Sequence, residues 1–315
     1  MTTAVAIALY NGAHFIEKQL DTIRNQTVSP DKVVLCDDGS KDNTVQIVNE
    51  YISKYNLESK WFLYENETNL GYIRNFYKAI SLCDTDLVFL SDQDDIWKVD
   101  KIEKMTNIMK GRQDIKLLCC KYGIIDANGV EQHSVVEPEA NENGDLKQIT
   151  ISDVMRAYRW PGMLMCLRKD YFEELLSKVN DCKVAHDFML IALSSDNGGF
   201  YEYNYLGAYH RRHDNNTARE EHRISKLLNL ERKLNDINIT KKLYYDFLNF
   251  DVPVSNATKN IISKRLSLLE QRGNALANKK LFGIIGIYLK NKGGYLRFKS
   301  FVCDVWLVLF GKINK

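Results

Sequence analysis

The stretch LVFLSDQDDIW, residues 87–97, places three carboxylates directly after an apolar run that is typical of a buried strand. Asp92, Asp94 and Asp95 lie within four residues, where like charges repel one another unless something neutralises them. The stretch is therefore either an acidic turn at the surface or a place where a divalent cation meets an anionic ligand. The residues at the ends of the other predicted strands distinguish these two interpretations.

Strand-like and helix-like patterns alternate around this stretch. Buried strands are predicted at 3–10, 32–37, 61–65 and 86–91. Amphipathic helices are predicted between them, at 15–26, 45–55 and 71–83. Because the connecting loops are short, the pattern predicts βαβ units, and hence an α/β fold with a mostly parallel sheet flanked by helices.

Polar residues come after three of these strands. Tyr10 and Asn11 lie at the end of the first, Asp37 and Asp38 at the end of the second, and the acidic residues 92–95 at the end of the fourth. Ligands of parallel sheets bind beyond the carboxyl ends of the strands, so we expect these residues to share one site. This favours a ligand site over an acidic turn.

The second half of the chain is less regular. A strand is predicted at 115–120, a polar segment at 126–150, a strand leading into a helix at 170–178, a short helix that begins near residue 186, and a strand with a polar loop at 199–218. Beyond residue 218 every predicted element is a helix. We therefore expect an α/β domain over residues 1–220 and an α-helical C-terminal extension over residues 221–315.

Charge is unevenly distributed along the 315 residues, although the net charge is only +2. Residues 256–315 contain 12 Lys or Arg and 2 Asp or Glu, a balance of +10, so the preceding 255 residues carry −8. This asymmetry predicts that the basic segment meets an anionic surface. Nucleic acid is not expected as a partner, because no recognition motif accompanies the charge.

The seven cysteines form no C-x-x-C pair, and several lie in strand-like runs. This favours reduced core thiols over a disulfide framework or a zinc site. The first residues lack the basic segment of a signal peptide, and no run reaches the roughly 18 apolar residues of a transmembrane helix. We expect a cytoplasmic protein, or one held peripherally on the inner face of the cell membrane.

Five motifs together resemble family 2 glycosyltransferases of the GT-A fold. In chain order they are ALYNG, VVLCDDGSKDNT, NLGYIRNF, FLSDQDDIW and HDFML. The resemblance covers roughly residues 4–220 and implies inverting transfer of a sugar from a nucleotide-diphosphate donor to a glycan or glycolipid hydroxyl, with Mn²⁺ or Mg²⁺ as cofactor.

The finer resemblance rests on SDQDDIWKVDK followed by HDF and RRHDNN, which is most similar to bacterial rhamnosyltransferases of cell-wall and capsular polysaccharide synthesis. It implies L-rhamnose from dTDP-rhamnose and a growing, lipid-linked surface glycan as acceptor. Two alternatives stay open: a UDP-hexose or UDP-N-acetylhexosamine donor, and a non-catalytic nucleotide-sugar-binding subunit of the assembly complex.

The resemblance assigns the nucleotide to the first strand ends. Asp38 would accept the N3–H of uracil or thymine, and Asp37, Tyr10 and Asn11 would line the same pocket. Arg74, in NLGYIRNF, would lie near the base or the phosphates. The alternatives are that DDGS is a plain turn, selected for its backbone geometry, and that Arg74 lies on a solvated helix face.

The segment Asp92-Gln93-Asp94 matches the D-x-D signature. A divalent cation takes oxygen ligands and commonly binds one or two carboxylates together with substrate phosphates. By resemblance Asp94 binds the metal, Asp92 reaches the ribose or a metal-bound water, and Asp95 positions a loop or the sugar. Gln93 belongs to the same donor-binding segment.

The acceptor side is also implied by the resemblance. Asp187, in HDF, occupies the family's catalytic-base position, although Asp is also a favoured helix N-cap. His186 would orient the base on the acceptor side or simply pack. Trp160 and Gly162 resemble the segment that lines the acceptor pocket, but a Trp beside Pro is equally often a core anchor.

The segment RRHDNN contributes an R-x-H-x-x-N arrangement of Arg211, His213 and Asn216. Arg211 would contact the nucleotide sugar. His213 would be a further ligand of the metal or the phosphates, because imidazole suits borderline cations.

Two apolar segments of the C-terminal region, 281–289 and 301–310, are too short to span a bilayer. Arg297, Ser300 and Asp304 fall at helical spacing and predict one narrow polar stripe. Such a helix could lie in the plane of an anionic membrane. The alternative is that these segments pack on the α/β domain or on a second subunit, which would make the protein a homodimer.

Overall fold

The computed structural model describes residues 1–132, 144–156, 158–179, 182–213, 229–291 and 298–311. The chain divides into two compact units. The sheet unit comprises Met1–Thr150 and Trp160–Asn215, and the helical unit comprises Ile151–Arg159 and Asn216–Lys315.

The first half of the sheet unit is built from parallel βαβ units, as predicted. Its strands are β1 (Thr3–Leu9), β2 (Lys32–Asp37), β3 (Trp61–Glu65) and β4 (Leu87–Ser91). Its helices are α1 (Ile16–Arg24), α2 (Thr44–Lys54) and α3 (Tyr72–Ser81). β1 pairs in parallel with both β2 and β4, and β2 pairs in parallel with β3.

The second half extends the same sheet with strands of both directions. It contains β5 (Ile96–Trp97), α4 (Lys101–Gly111), β6 (Leu117–Ile125), β7 (Glu131–Gln132), β8 (Leu146–Gln148), β9 (Met165–Arg168), α6 (Glu173–Leu176), α7 (His186–Asp196) and β10 (Phe200–Arg211). The helix predicted at 170–178 is shorter than expected, because a 3₁₀ turn over Asp170–Phe172 precedes the single turn of α6.

The strand order is β3-β2-β1-β4-β9-β6-β10-β5. β9 runs antiparallel to both of its neighbours, β4 and β6, whereas β6 and β10 are parallel to each other. The short strands β5 and β8 pair antiparallel with β10, and β7 pairs antiparallel with β6. The sheet is therefore mixed but mostly parallel, and the predicted α/β class is confirmed.

Burial explains why these segments are strands. β4 is buried along its whole length, and β1 and β2 nearly so, as expected of parallel strands whose two faces are both covered. Six of the seven cysteines are buried, and burial raises the pKa of the Cys36 and Cys83 thiols to about 12. These thiols behave as small apolar core groups, as predicted.

The sheet order brings the predicted polar residues together. β1 lies between β2 and β4, and all three strands run in the same direction. The residues that come after them, including Asn11, Asp38 and Asp92, therefore lie at one edge of the sheet, beyond its carboxyl ends.

The helical unit contains α5 (Ile151–Arg156), α8 (Leu230–Asn249), α9 (Asn256–Ala277), α10 (Leu281–Lys290) and α11 (Phe298–Phe310). Asn229 caps α8 by accepting from the N–H of Arg232, and Ser255 caps α9 by accepting from the N–H of Thr258. Within the part of the chain that the structure describes, no helix is both long enough and apolar enough to cross a membrane.

Asp304, predicted on the narrow polar stripe of α11, faces the interior of this unit. Its side chain is fully buried and forms a bidentate ion pair with Arg272 of α9. The Asp304 Oδ1–Arg272 Nη2 distance is 2.8 Å. Arg297, predicted on the same stripe, lies outside the described residues.

Candidate active site

The turn after β2 uses its two carboxylates to hold the chain itself. Asp37 Oδ2 accepts hydrogen bonds from the N–H groups of Gly39 (3.0 Å) and Ser40 (2.9 Å), and Asp37 Oδ1 accepts from the Ser40 hydroxyl. Gly39 has a φ of +79°, a conformation that favours glycine. Asp37 therefore stabilises the turn, in agreement with the alternative interpretation of DDGS.

Asp38 is engaged in the same way with a loop from farther along the chain. Its Oδ1 accepts from Asn66 Nδ2 (2.8 Å) and from the N–H of Leu70 (2.7 Å), and its Oδ2 accepts from the N–H of Gly71 (2.8 Å). Each oxygen of this buried carboxylate thus already has a donor within the protein. Recognition of a base by Asp38 stays a prediction.

Two hydrogen bonds of the Gln93 side chain join the residue after β1 to the acidic residues 92–95. The Gln93 side-chain amide accepts from the N–H of Tyr10 (2.8 Å) and donates to the Tyr10 carbonyl (2.9 Å). Gly12 leaves room for this amide, because a Cβ at Gly12 would lie 2.3 Å from Gln93 Oε1. Asn11 adopts a φ of +51° and accepts from the N–H of Lys41 (2.8 Å). In this structure Gln93 positions the loop that carries Asp92 and Asp94.

The acidic loop, residues 92–95, brings three carboxyl groups close together. Burial raises the pKa of Asp92 well above its ordinary range, and the charges of Asp95 and Asp94 raise it further. Burial and Asp95 also raise the pKa of Asp94. Asp95 is fully buried, and its Oδ2 has no hydrogen-bond partner among the described residues. A cation at this loop would relieve the repulsion among its carboxylates.

The end of β10 and the residues after it bring two histidines to this loop. Nε2 of His213 lies 2.7 Å from Asp94 Oδ2, and Nδ1 of His210 lies 3.1 Å from Asp95 Oδ1. Burial lowers the pKa of His210, but the hydrogen bond to Asp95 and the charges of the acidic loop outweigh it and raise the pKa to about 9. His210 was not among the predicted site residues.

Arg211 is buried, and backbone carbonyls surround its guanidinium. Its Nε donates to the Asp94 carbonyl (2.8 Å), and its Nη1 donates to the carbonyls of Asp126 (3.3 Å) and Ala127 (3.1 Å). Its own N–H donates to Asp95 Oδ1 (3.1 Å). These contacts fix the path of the acidic loop, so Arg211 has a positioning role in the site. Direct contact with a nucleotide sugar stays a prediction.

The start of α7 brings a fourth carboxylate to the same region. Asp187 lies in the first turn and accepts from the N–H of Phe188 (2.7 Å), while Ala185 occupies the N-cap position. Asp187 is therefore not the N-cap of α7. Burial is the main cause of the raised pKa values of Asp92 and Tyr72, and the charge of Asp187 contributes to both, so Asp187 lies within electrostatic reach of each.

His186 packs beside Asp187 in an apolar environment. Its ring stacks on Phe76 at a centroid distance of 4.1 Å, and neither ring nitrogen has a hydrogen-bond partner among the described residues. Burial lowers the pKa of His186, which keeps the imidazole neutral. A Cβ at Gly162 would lie 2.7 Å from Nε2, so the glycine makes room for the ring. The two predicted acceptor residues His186 and Gly162 are thus neighbours.

Trp160 and Arg74 form hydrogen bonds within the protein itself. Trp160 is buried, its Nε1 donates to Glu202 Oε2 (2.6 Å), and Glu202 Oε1 pairs with Lys121 Nζ (2.6 Å). Because the ring is buried, this structure favours the core-anchor alternative for Trp160, and its acceptor role stays a prediction. Arg74 is exposed and donates to the Leu70 carbonyl (3.1 Å), which fits the solvated helix face.

Sequence reasoning missed Lys101, a fully buried lysine at the start of α4. Its Nζ donates to the Met163 carbonyl (2.6 Å) and lies 3.5 Å from the centre of the Trp97 ring. Burial lowers the pKa of Lys101 to about 8. The signal was present in the sequence, because Lys101 shares the buried face of α4 with Met105 and Met109 at i+4 and i+8.

The donor set of this site suits a hard divalent cation. Across the described ranges, no three His, Cys, Asp or Glu side chains are arranged to hold a metal ion by themselves. The clustered carboxylates, the raised pKa of Asp94 and the unsatisfied Asp95 oxygen nevertheless fit a cation that takes part of its shell from substrate phosphates. Asn216, predicted in the same motif, lies outside the described residues.

Solved structures define the fold class as GT-A. The chain resembles S. aureus TarS 1-349 in complex with UDP-GlcNAc with a TM-score of 0.59 and 16% identity, covering 97% of this chain and 82% of that one. It resembles the mannosyltransferase PcManGT from Pyrobaculum calidifontis, in complex with GDP-Man and Mn²⁺, with a TM-score of 0.56 and 14% identity, covering 97% and 84%. At such identities the likeness establishes the fold alone.

The family is established by the sequence comparison. The model of "Glycosyl transferase family 2" matches residues 4–176, more than half of the chain, and the chain belongs to this family.

Individual relatives share moderate sequence identity with parts of this chain. The chain is 28% identical over 234 residues to the O-antigen chain rhamnosyltransferase RfbN of Salmonella typhimurium, covering 70% of this chain and 69% of RfbN. It is 37% identical over 100 residues to the dTDP-rhamnosyl transferase RfbG of Shigella flexneri, covering 31% and 34%. It spans 41% of a Mycoplasma pneumoniae glycosyltransferase, at 32% identity over 124 residues and 39% of this chain.

Proposed function

We propose that this protein is an inverting, metal-dependent glycosyltransferase that uses residues 1–220 as its catalytic domain and residues 221–315 as a helical accessory region. The observation that carries the proposal is the nearness of two carboxylate groups with different surroundings. The acidic loop lies directly after β4, and Asp187, in the first turn of α7, lies within electrostatic reach of Asp92. The acidic loop is suited to binding a cation together with the donor phosphates, and Asp187 is suited to accepting a proton.

The proposed reaction is a single displacement at the anomeric carbon. The acceptor oxygen forms a bond to that carbon on one face, while the bond to the donor diphosphate breaks on the other. Asp187 takes the proton from the acceptor hydroxyl as the new bond forms. Its hydrogen bond to the Phe188 N–H holds the carboxylate in one orientation, and the neutral His186 beside it adds no competing charge.

Asp94 and Asp92 would hold the metal, with His213 either as a further ligand or as the group that orients Asp94. A bound Mn²⁺ or Mg²⁺ supplies charge neutralisation of the leaving diphosphate. Gln93 and Arg211 contribute by holding the acidic loop in place, because a site of this kind depends on carboxylates that are positioned before the donor arrives.

The donor proposed first is dTDP-L-rhamnose, with a hydroxyl of a growing, lipid-linked bacterial surface glycan as acceptor. Support comes from the relatives whose names describe rhamnosyl transfer, RfbN and RfbG. A UDP-hexose or UDP-N-acetylhexosamine is the second candidate, supported by the fold shared with TarS in complex with UDP-GlcNAc. A non-catalytic nucleotide-sugar-binding subunit is less well supported, since both the acidic loop and Asp187 are intact.

The test is a donor screen that measures release of nucleotide diphosphate from dTDP-rhamnose, UDP-glucose, UDP-galactose and UDP-N-acetylglucosamine, each with Mn²⁺ and with EDTA. We expect Mn²⁺-dependent release from one donor, with dTDP-rhamnose the first choice. Release that is equal in EDTA would contradict the metal requirement. Binding of a donor without release, even with a glycan acceptor present, would favour the non-catalytic subunit.

Asp187→Asn tests the base within the same assay. The change is nearly isosteric, so we expect turnover to fall by roughly 10²–10⁴-fold while donor affinity is retained, because only the proton acceptor is removed. Asp196→Asn, at the other end of α7, is the matched control and should leave turnover unchanged. Loss of donor affinity with persistent turnover would instead make Asp187 a donor-binding residue.

A further inference from the structure

Helix α11 turns its apolar side toward solvent. Phe298, Val302, Trp306 and Leu309 are exposed and recur at i, i+4, i+8 and i+11, which places them along one side of the helix. Phe310, at its end, is 63% exposed. This is the reverse of an ordinary surface helix, whose apolar stripe faces the core.

The opposite side of α11 is fixed to the unit interior by a charged pair. Asp304 is fully buried against Arg272 of α9, and Leu307 and Val308 are buried on the same side. A buried carboxylate that loses its partner is costly, so the ion pair resists rotation of α11 about its axis. The helix is therefore held with its apolar side outward.

Helix α10 continues the exposed apolar surface. Phe282, 87% exposed, and Leu289 lie seven residues apart on one side of α10, while Ile284 and Ile287 are buried on the other. The two helices pack together through the rings of Tyr288 and Phe301, whose centroids are 4.1 Å apart. We call the exposed apolar side chains of α10 and α11 together the apolar face.

Charge around the apolar face identifies its partner. Lys280, Lys290 and Lys299 are exposed beside it. The only acidic residues among residues 256–315 are Glu270 and Asp304; Asp304 is paired with Arg272, and Glu270 accepts from the Tyr245 hydroxyl. A second copy of this chain would bring two strongly basic segments together, whereas an anionic lipid surface would attract them.

We propose that the apolar face lies in the plane of an anionic membrane, with aromatic side chains at the acyl boundary and lysines among the lipid headgroups. Helices of 10 and 13 residues are too short to cross a bilayer but long enough to lie along its surface. The surface is argued independently of the proposed reaction. Its use, which is to keep the site near a lipid-linked acceptor, rests on the proposed function.

Trp306 provides a direct probe of this orientation. Among the four tryptophans, Trp61, Trp97 and Trp160 are buried and Trp306 is exposed. Vesicles of equal parts phosphatidylglycerol and phosphatidylcholine, with brominated acyl chains, should quench part of the tryptophan emission of the full-length protein. Trp306→Phe should bind the same vesicles and lose the quenching. Bound protein that is not quenched, or quenching that survives Trp306→Phe, would overturn the proposal.

Co-sedimentation with the same vesicles without bromine measures affinity. Phe298→Ser with Phe310→Ser removes two exposed rings and should weaken binding by about tenfold or more, because each ring loses its transfer to the acyl region. Ile239→Ser, at an exposed position of α8, is the matched control and should bind like the unchanged protein. Equal binding by the double variant would contradict the assignment of the face.

Charge is tested by Lys290→Gln with Lys299→Gln. Binding should weaken by about fivefold for each charge removed at low salt, and the difference should shrink at high salt. Pure phosphatidylcholine vesicles should bind less protein than anionic vesicles.

The alternative occupant of the apolar face is a second copy of the chain. It would be shown by a protein that does not bind anionic vesicles and sediments as a dimer, if Phe298→Ser with Phe310→Ser dissociates that dimer. Donor hydrolysis, measured without vesicles, should be equal in all these variants, so failure of the proposed reaction is detected separately.

Discussion

The strands on either side of β1 both end in acidic residues, and the two ends behave in opposite ways. After β2, every carboxylate oxygen of Asp37 and Asp38 accepts a hydrogen bond from the protein itself. After β4, burial and neighbouring carboxylates raise the pKa of Asp92 and Asp94, and Asp95 keeps one buried oxygen without a partner among the described residues. The first end is satisfied by the protein itself, whereas the second disfavours the charged forms of Asp92 and Asp94 and leaves one Asp95 oxygen without a partner among the described residues.

The difference shows how the same residue type serves structure or chemistry. A carboxylate with two or three N–H donors is stabilised in place and has little remaining capacity for a ligand. Carboxylates that repel one another are held only because Arg211, Gln93 and the two histidines fix the surrounding chain. Such a cluster gains most from a cation, which is why we assign the metal to the second end.

The largest expected effect comes from Asp94→Asn. Transfer should fall by about 10³-fold or more, because the change removes a charge from the proposed cation site while an amide can still bond His213. The free energy of unfolding should not fall, since burial and Asp95 already disfavour the charged form of Asp94. Steady-state kinetics with Mn²⁺ and urea unfolding measure the two quantities. Full activity in EDTA would contradict the assignment.

Asp38→Asn should show the reverse pattern. The side chain would keep one acceptor oxygen for three donors, so we expect a loss of about 2–4 kcal/mol in the free energy of unfolding. Denaturant unfolding of this variant beside Asp94→Asn makes the comparison direct. If Asp38→Asn is as stable as the unchanged protein but its KM for the donor rises sharply, Asp38 recognises the base, and the two strand ends are more alike than we infer.

Gly12→Ala tests how the acidic loop is held. The new Cβ would displace the Gln93 amide and break its two hydrogen bonds to Tyr10, which we expect to cost about 1–2 kcal/mol and to weaken Mn²⁺ binding. Gly111→Ala, where a Cβ meets nothing within 4 Å, is the control and should be neutral or stabilising by up to about 1 kcal/mol. Calorimetric Mn²⁺ titration of both variants would detect the difference, and equal affinities would show that Gln93 does not position the loop.

Ser40→Ala should have the smallest effect. The Ser40 hydroxyl donates to Asp37 and accepts from the Asn11 N–H (2.9 Å), so its removal should cost about 1 kcal/mol in thermal unfolding. Metal affinity and turnover should stay the same, because the proposed cation site lies at the other strand end. A change in Mn²⁺ affinity similar to that of Gly12→Ala would show that the two ends act as one site.

Local pattern was enough to predict much of the fold. The buried strands β1, β2 and β4, the helices between them and the start of α7 near His186 are explained by apolar periodicity within each segment. The meeting of three polar strand ends at one edge is explained by the direction of parallel strands. The acidic loop needed no more than this to be singled out.

Long-range partners decided the roles that the sequence left open. Asp38 is satisfied by residues 66–71, Trp160 by Glu202, and Asp304 by Arg272, each partner lying at least 28 positions away. His210 meets Asp95 across 115 positions. Periodicity reports only which side of an element is apolar, whereas hydrogen bonds and ion pairs depend on which distant group arrives beside it. The sequence by itself thus determined where carboxylates and apolar helices occur. The tertiary structure decided which carboxylates are satisfied and which side of α11 faces outward. The reason is that burial and pairing with distant groups set the free energy of a charge.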